Sequence, residues 1–284
     1  GYPRARGGAR TRHCAGSLAA VSMAAGSVRA GMDEIVVAGR AMATSLSPQL
    51  TWRVPGTQET RTSAMPPTFP HYEGADDDVT ISTGWNTAVE AGLTRAEVDA
   101  WALRSHERAI AAIDAGVFEA EIVPVPVTGP DGPTDFTVDE HPKRSTSAER
   151  LASLKPLHPE IADFSVTAGN SAGVNDAAAA LVVASDRIAQ EQGAEALATV
   201  EAWASVGVEP HRTGMAATEV IPVVLKRAGL EIADIDLWEI NEAFASVPLA
   251  ACRAHGIDEA RVNIYGSGCS LGHPVAATGA RMLT

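Results

Sequence analysis

Residues 12–21 read Arg12-His13-Cys14-Ala15-Gly16-Ser17-Leu18-Ala19-Ala20-Val21, and the rest of the chain is best interpreted from this stretch. Apolar residues continue at helical spacing to Val28, and Gly31 follows as a stop. Cys14 is therefore predicted to lie where a loop enters a helix of small residues. At that position the helix dipole and free N–H groups lower the pKa of a thiol and favour the nucleophilic thiolate. A cysteine without catalytic partners is more often buried and unreactive. A catalytic role for Cys14 therefore requires partner side chains elsewhere in the chain.

Composition narrows the class of protein. The chain has 284 residues, of which 45% are hydrophobic and 20% charged, and this length can bury the core of one large domain or two ordinary ones. A formal net charge of −13 disfavours nucleic acid as a partner, because phosphate binding needs a basic face. No apolar run approaches about 20 residues, so no membrane span is predicted. The three cysteines form neither a disulfide framework nor a zinc-ligand spacing, which favours a reducing compartment.

Helical and strand patterns alternate along the chain. Strands are predicted over 34–39, 121–127, 180–184, 198–206, 235–240 and 262–265. Helices are predicted over 95–116, 146–155, 176–180, 219–228 and 244–255, and another begins at 276. Capping boxes at Thr94–Glu97 and Thr146–Glu149 open two of these helices. Residues 41–80 lack periodicity, and so long an irregular tract is usually a lid or a binding loop. Polar residues directly after strand ends are typical of α/β folds that carry their sites there.

Two distant loci supply candidate partners for Cys14. Asn241-Glu242 follows the predicted strand 235–240, and His273 lies between Gly272 and Pro274, which restrict its backbone. A cysteine with a distant histidine is the basis of nucleophilic catalysis, and an asparagine can hold a water or an oxyanion. A fourth locus is the glycine-punctuated loop 167–173. It allows close approach of its backbone to a ligand, although a simple tight turn explains its glycines equally well.

At these loci the sequence resembles the thiolase family, CoA-dependent acyltransferases that cleave or form 3-oxoacyl-CoA. The resemblance covers essentially the whole chain and rests on four motifs in the family's order. They are Arg12-His13-Cys14-Ala15-Gly16-Ser17, Thr167-Ala168-Gly169-Asn170, Asn241-Glu242-Ala243-Phe244 and Leu271-Gly272-His273-Pro274. A condensing enzyme of the ketoacyl-synthase kind is the weaker match, because that kind lacks the Asn-Glu-Ala-Phe motif.

The resemblance implies a layered αβαβα fold of two similar halves with an inserted loop domain. Residues 1–43 and 174–195 would form a partial N-terminal thiolase domain that carries the nucleophile. Residues 44–173 would be the loop domain that covers CoA, and 196–284 a partial C-terminal domain with the Asn-Glu-Ala-Phe and Gly-His-Pro motifs. By the same resemblance the sequence is incomplete at both ends. The family's second cysteine, in a Cys-x-Gly-Gly-Gly segment, would follow Thr284, and neither Cys252 nor Cys269 occupies its place.

Catalytic roles also follow from the resemblance. Cys14 would attack the substrate carbonyl with His273 as base, and His273 with a water held by Asn241 would form one oxyanion site. The acyl group would then pass from Cys14 to CoA. Expected contacts with substrate or CoA are Lys143, Arg144, Ala168, Ser171, Ala172 and Phe244. Lys143-Arg144 has an alternative interpretation as a solvated surface pair, and Glu242 as a structural carboxylate beside the site.

The implied cellular setting is that of a cytoplasmic enzyme of fatty acid metabolism. The enzyme would use CoA as a co-substrate, hold no tightly bound cofactor or metal, and form a homodimer or homotetramer. The alternative is a catalytically impaired thiolase-like protein that binds CoA or serves in assembly, which the absence of the second cysteine would favour. Gly16-Ser17, Arg40, Gly84-Trp85 and Ala172 depart from the family's common pattern. The acyl chain and the direction of reaction are therefore not predicted.

Overall fold

Helices and short strands alternate in the computed structural model, which describes residues 7–8, 11–63, 79–130 and 132–284. The helices are α1 (Gly16–Arg29), α2 (Val79–Glu90), α3 (Arg95–Asp114), α4 (Ala148–Ser153), α5 (Asp186–Glu191), α6 (Ala216–Ala228), α7 (Ser246–His255), α8 (Gly268–Leu271) and α9 (Thr278–Arg281). The strands are β1 (Ile35–Met42), β2 (Leu50–Arg53), β3 (Thr60–Ser63), β4 (Val125–Gly129), β5 (Gly132–Phe136) and β6 (Ala177–Ala184). Short 3-10 turns cover His13–Ala15, Thr44–Leu46, Pro210–Met215, Ile232–Asp234 and Glu259–Arg261. No helix of the described ranges is long and apolar enough to cross a membrane.

The strands β1 and β6 form an antiparallel pair that supports α1, the helix directly after Cys14. Their register places Gly39 opposite Ala180, and a Cβ at Gly39 would clash with the backbone of β6. One face of this pair packs on α1, where Val21 and Ala24 meet Ala38. The helix predicted over 176–180 is wrong, because those alanines lie in β6. Pairing with β1 and packing against α1 override the helix propensity of alanine.

A larger helical core positions the other loci. The helices α3, α6 and α7 meet around the buried side chains of Trp101, Ile221, Leu249 and Ala251. The capping box at Thr94 and Glu97 is present as predicted. Gly229 and Gly256 adopt left-handed conformations at the ends of α6 and α7, with φ of 72° and 65°. These sharp stops return the chain to the core and bring the segments around Asn241 and His273 to one side of it.

Three of the predicted strands do not form. Residues 198–206, 235–240 and 262–265 run largely without regular structure, and a single parallel bridge joins Trp238 to Val262. A strand needs a continuous neighbouring ladder of N–H and C=O groups, and the pairing of Trp238 with Val262 does not extend beyond a single bridge in the described chain. Instead, the carbonyls of Val200 and Glu201 accept hydrogen bonds from the guanidinium of Arg29.

Two predicted boundaries also shift. The strand expected at 121–127 begins at Val125, because the N–H of Ile122 still bonds back to Phe118 in the turn after α3. The cap of α4 is Ser147 rather than Thr146, and its hydroxyl accepts the N–H of Arg150. In the irregular tract 41–80, β2 and β3 form a hairpin, and residues 64–78 lie outside the described part of the chain.

Candidate active site

Cys14 lies in the 3-10 turn that enters α1. His13, directly before it, has a φ of 41°, a left-handed conformation that non-glycine residues seldom adopt. The side chain of Cys14 is accessible to solvent, and the polypeptide turns into α1 two residues later. The tight turn therefore presents the sulfur at the protein surface, just before the first turn of the helix.

Helix α9 is docked directly onto the start of α1. The N–H of Ser17 donates to the carbonyl of Ala276 at 3.2 Å, and the hydroxyl of Ser17 accepts the N–H of Ala280 at 2.9 Å. A Cβ at Gly279 would clash with Leu18, so only glycine permits this approach. These contacts bring the segment after His273 against the turn that carries Cys14.

The two reactive side chains meet as a result. Nε2 of His273 lies 3.2 Å from Sγ of Cys14, within hydrogen-bond range for sulfur. His273 is 6% exposed, and its N–H donates to the carbonyl of Gly173 at 2.9 Å. On the other side of the ring, Nδ1 lies 2.6 Å from the hydroxyl oxygen of Thr278. The imidazole is thus held at both nitrogens, with one edge directed at the sulfur.

Desolvation by the surrounding protein keeps both members of this pair neutral. Burial, together with the charge of Arg281, lowers the pKa of His273 to about 4. Protein packed beside the Cys14 sulfur raises the pKa of the thiol, and the backbone N–H of Cys14 offsets only part of that rise. The expectation of a thiol pKa lowered at the helix start is therefore wrong, because desolvation outweighs the backbone contribution. The thiol consequently needs a base, and neutral His273 is within reach to accept its proton.

Asn241 lies over the imidazole of His273. Its Nδ2 is 3.3 Å from Nδ1 and 3.5 Å from Nε2, so the amide points toward the ring without aligning with either nitrogen alone. Its Oδ1 is buried with no hydrogen-bond partner in the described structure, and it packs close to Gly268. The amide N–H and the edge of His273 therefore face the same space beside Cys14, where a developing negative charge could be bound.

The neighbouring Glu242 is a structural residue, and both oxygens of its carboxylate accept hydrogen bonds. Four donors surround its buried carboxylate. They are Nε1 of Trp101 at 2.8 Å, Nδ2 of Asn263 at 2.8 Å, the hydroxyl of Ser105 at 2.6 Å and the N–H of Cys269 at 3.1 Å. These bonds connect the Asn241-Glu242 segment to α3 and to α8. Glu242 thus fixes the backbone from which the side chain of Asn241 projects.

The loop 167–173 pairs with the segment that follows Glu242. Ser171 and Phe244 form an antiparallel bridge, and the N–H of Ala172 donates to the carbonyl of Ala243 at 3.0 Å. The ring of Phe244 packs into a notch at Gly84, where a Cβ would approach it to 2.5 Å. Ser171, Ala172 and Phe244 are therefore brought together, and their partly buried side chains border one surface.

The remaining expected CoA contacts are exposed. Ala168 and Lys143 are exposed, and the N–H of Lys143 donates to Nδ1 of His106. Arg144 is bound by Asp114 through both guanidinium nitrogens, with the Nη1 bond at 2.9 Å. Lys143 makes no side-chain ion pair among the described residues, and it is the better placed of the two cations for an anionic ligand.

Other nucleophiles and metal ligands offer no rival site. Burial raises the pKa of the Cys252 thiol to about 12, and that of Cys269, which is fully enclosed, well above its ordinary value. Within residues 7–8, 11–63, 79–130 and 132–284, no cluster of His, Cys, Asp or Glu is arranged to hold a metal. Sequence reasoning did not identify Thr278 or Ser17 as parts of the site. The only sequence feature that could have pointed to them is that each is a hydroxyl residue a few positions after His273 or Cys14.

Two family models and several characterised proteins match the chain. The family model described as "Thiolase, N-terminal domain" matches residues 9–187, and "Thiolase, C-terminal domain" matches residues 194–284. An acetyl-CoA acetyltransferase of Escherichia coli K12 is 39% identical over 281 residues, which span 95% of this chain and 69% of that protein. A β-ketoadipyl-CoA thiolase of Acinetobacter baylyi is 38% identical, with 96% of this chain and 70% of that protein covered.

Solved structures show the same fold. The acetyl-CoA acetyltransferase of Bacillus anthracis superposes with a TM-score of 0.86 at 35% identity, over 96% of this chain and 69% of that one. Human mitochondrial 3-ketoacyl-CoA thiolase gives a TM-score of 0.83 at 30% identity, over 95% of this chain and 69% of that one.

Proposed function

The chain belongs to the thiolase family, and from that premise we propose that Cys14 carries the acyl group in a thiolase-type transfer between CoA thioesters. Members matched here are named acetyl-CoA acetyltransferase and β-ketoadipyl-CoA thiolase, and the chain is an acyltransferase of this kind. The observation that carries the residue assignment is the 3.2 Å approach of Nε2 of His273 to Sγ of Cys14. No described feature favours the catalytically impaired alternative.

In the first half-reaction, Sγ of Cys14 attacks the 3-oxo carbonyl of an acyl-CoA. The thiol proton moves to Nε2 of His273, which is neutral at pH 7 because its pKa is about 4. The bond between the second and third acyl carbons breaks, and its electron pair leaves as the enolate of a two-carbon CoA thioester, which takes the proton from Nε2 of His273. The acyl group remains on Cys14 as a thioester. A second CoA thiol then gives its proton to His273 and attacks this thioester, and the released Cys14 thiolate takes that proton back. Condensation follows the same steps in reverse.

Stabilisation of the tetrahedral oxyanion is assigned to His273 and Asn241. Protonated Nε2 of His273 and Nδ2 of Asn241 both border the space beside Sγ of Cys14. Buried donors of this kind act without reorganisation, and each contributes roughly 3–4 kcal/mol to the lowering of a barrier. The packing of Oδ1 of Asn241 against Gly268 directs Nδ2 toward this space.

The CoA site is proposed to lie along the loop 167–173 and its partner segment. Ser171, Ala172 and Phe244 would contact the pantetheine arm, with Ala168 nearby at the surface. Lys143 would meet the CoA phosphates. Arg144 would have to leave Asp114 to do the same, and it is therefore the weaker candidate.

The domain division is likewise a proposal. Residues 1–43 with 174–195 would form one unit, 44–173 the loop domain and 196–284 the second unit. Support comes from β1 and β6, which are paired neighbours although the chain between them runs from Met42 to Ala177. The proposed insertion of residues 44–173 accounts for this pairing of strands that are distant in the sequence. Assembly as a homodimer or homotetramer, a cytoplasmic location and a role in fatty acid metabolism rest on the family resemblance.

Acyl transfer to Cys14 can be tested directly. The purified protein is incubated with acetyl-CoA, quenched in acid and digested, and the acetylated peptide is identified by mass spectrometry. We expect the label on Cys14, none in Cys14→Ala, and unchanged labelling in Cys252→Ala, whose thiol is buried and lies outside the site. A folded wild-type protein that gains no acetyl group on Cys14 would refute the assignment.

A further inference from the structure

Thr278 is placed to control the protonation of His273. It begins α9, is 1% exposed, and brings its hydroxyl oxygen within 2.6 Å of Nδ1 of His273. The same oxygen lies 3.2 Å from the carbonyl oxygen of Pro274. Thr278 therefore lies at the Nδ1 edge of the imidazole, whereas Cys14 lies at the Nε2 edge.

The hydroxyl of Thr278 contacts Nδ1 of His273 and the carbonyl of Pro274, and these two atoms differ in whether they can donate a hydrogen bond. A carbonyl oxygen can only accept a hydrogen bond, so the contact with Pro274 uses the single hydroxyl proton of Thr278. With the proton donated there, the oxygen of Thr278 accepts at its shorter contact, and Nδ1 of His273 carries a hydrogen. Asn241 cannot accept this hydrogen in place of Thr278, because its atom near Nδ1 of His273 is Nδ2, which is a donor. With the hydrogen on Nδ1, the lone pair of neutral imidazole lies on Nε2, 3.2 Å from Sγ of Cys14.

We propose that Thr278 is a positioning residue that holds His273 in the Nδ1–H tautomer, so that Nε2 is free to accept the proton of Cys14. The inference rests on the proposed roles of Cys14 and His273. In the opposite tautomer, Nε2 would present a hydrogen to the thiol and could not act as its base. Asp, Glu and backbone carbonyls usually fix a catalytic histidine, and here a hydroxyl that is itself oriented by a carbonyl takes that part.

The position of Thr278 is secured by contacts that do not involve the histidine. Helix α9 is docked on α1 through the hydroxyl of Ser17, which accepts the N–H of Ala280, and through the close approach of Gly279 to Leu18. Thr278 is thus held in place by α1, the helix that follows Cys14. The docking of α9 on α1 therefore keeps Cys14, His273 and Thr278 in contact with one another.

The tautomer can be observed without any turnover. Nitrogen-15 NMR of the histidine-labelled protein near neutral pH separates a protonated ring nitrogen from an unprotonated one, and His273→Asn identifies the His273 signals. We expect Nδ1 protonated and Nε2 unprotonated in wild type and in Thr278→Ser, and a mixture of tautomers in Thr278→Val. Wild-type protein with an unprotonated Nδ1 would overturn the proposal, whether or not Cys14 proves to be acylated.

Alkylation of Cys14 by iodoacetamide gives an independent measurement. At about pH 7 we expect Thr278→Val to react roughly 10- to 100-fold more slowly than wild type, because base assistance is lost, and Thr278→Ser to retain the rate. At about pH 10, where the thiolate forms without a base, the variants should react alike. Equal slowing of the Ser and Val variants, or no slowing in either, would overturn the proposal.

Thr87→Val is the matched control for lost threonine hydrogen bonding. Thr87 is also 1% exposed and donates to the carbonyl four residues earlier, that of Thr83, at 2.7 Å, and it makes no hydrogen bond to a histidine of the described residues. Its valine variant should show the wild-type tautomer and alkylation rate. A Thr87→Val variant that reproduces the effects of Thr278→Val would assign those effects to general destabilisation and would overturn the proposal.

Discussion

Sγ of Cys14 and Nε2 of His273 lie 3.2 Å apart although 259 positions separate them in the sequence. The pair is neutral, because protein packed beside the sulfur raises the pKa of the thiol and burial lowers that of the imidazole to about 4. It therefore differs from a thiolate–imidazolium pair, which is already ionised before substrate arrives.

The first prediction concerns the pH dependence of Cys14 alkylation. Because the neutral pair contains little thiolate, the rate constant with iodoacetamide at about pH 7 should be at least about 10-fold below that at about pH 10. His273→Asn should lower the neutral rate further and leave the alkaline rate unchanged. Mass spectrometry of the Cys14 peptide measures both. Equal rates at pH 7 and pH 10 would indicate an ion pair and contradict the neutral assignment.

A second prediction separates oxyanion binding from base catalysis. Asn241→Ala removes Nδ2 from the site, so acylation of Cys14 by acetyl-CoA should slow by about 100- to 1,000-fold. Alkylation by iodoacetamide creates no oxyanion and should change less than about two-fold, because His273 retains its contact with Thr278. Oδ1 of Asn241 has no partner to lose, so folding should be little affected. If acylation and alkylation slow equally, Asn241 acts by orienting His273 and not by binding the oxyanion.

A third prediction is that stability rises with pH between about 4 and 6.5. Burial lowers the pKa of His106 and of His273 from 6.5 to about 4, so the unfolded chain binds two protons in this interval that the folded chain does not. Burial raises the pKa of Glu239 to about 7, so the folded chain binds one proton there that opposes the two histidines without cancelling them. The contribution of the histidines is fully present above pH 6.5 and is lost as pH falls toward 4. Shifts of this size correspond to roughly 3 kcal/mol for each histidine. Urea unfolding at several pH values measures the dependence.

His106→Asn tests this dependence away from the active site. Asparagine can still accept the N–H of Lys143, the bond that Nδ1 of His106 accepts at 3.1 Å, but it does not titrate. The variant should therefore reduce the pH-dependent change in unfolding free energy by the roughly 3 kcal/mol that one histidine contributes. An unchanged slope would show that His106 does not contribute to it.

A fourth prediction concerns the carboxylate of Glu242. In Glu242→Gln an amide NH2 must face N–H and O–H donors, including those of Trp101 and Ser105, which leaves buried groups unsatisfied. We expect a loss of about 2–5 kcal/mol in unfolding free energy and slower acylation, because the support of Asn241 is weakened. Asp236→Asn makes the same change in an exposed ion pair with Arg261 and should cost less than about 1 kcal/mol. Equal effects of the two variants would refute the anchoring role.

The sequence predicted which side chains come together more reliably than it predicted the strands. Helix α3 begins at its predicted capping box, and α6 ends at its predicted glycine but begins three residues earlier than the predicted 219. The strand predictions failed at 198–206, 235–240 and 262–265, because a local apolar pattern does not contain the partner that a strand requires. The alanine run 177–180 was misassigned for the same reason, since only its pairing with β1 makes it extended.

The sequence by itself determined which side chains can do chemistry, because Cys14, Asn241 and His273 lie in motifs whose residue types and order are visible in one dimension. Only the tertiary structure decided how they behave. Desolvation reversed the expected shift of the Cys14 pKa, and Thr278 came within reach of His273. Both effects depend on atoms brought together by the docking of α9 on α1. Burial and hydrogen bonding between distant segments have no counterpart in local sequence, which is why the site's electrostatics emerged only with the fold.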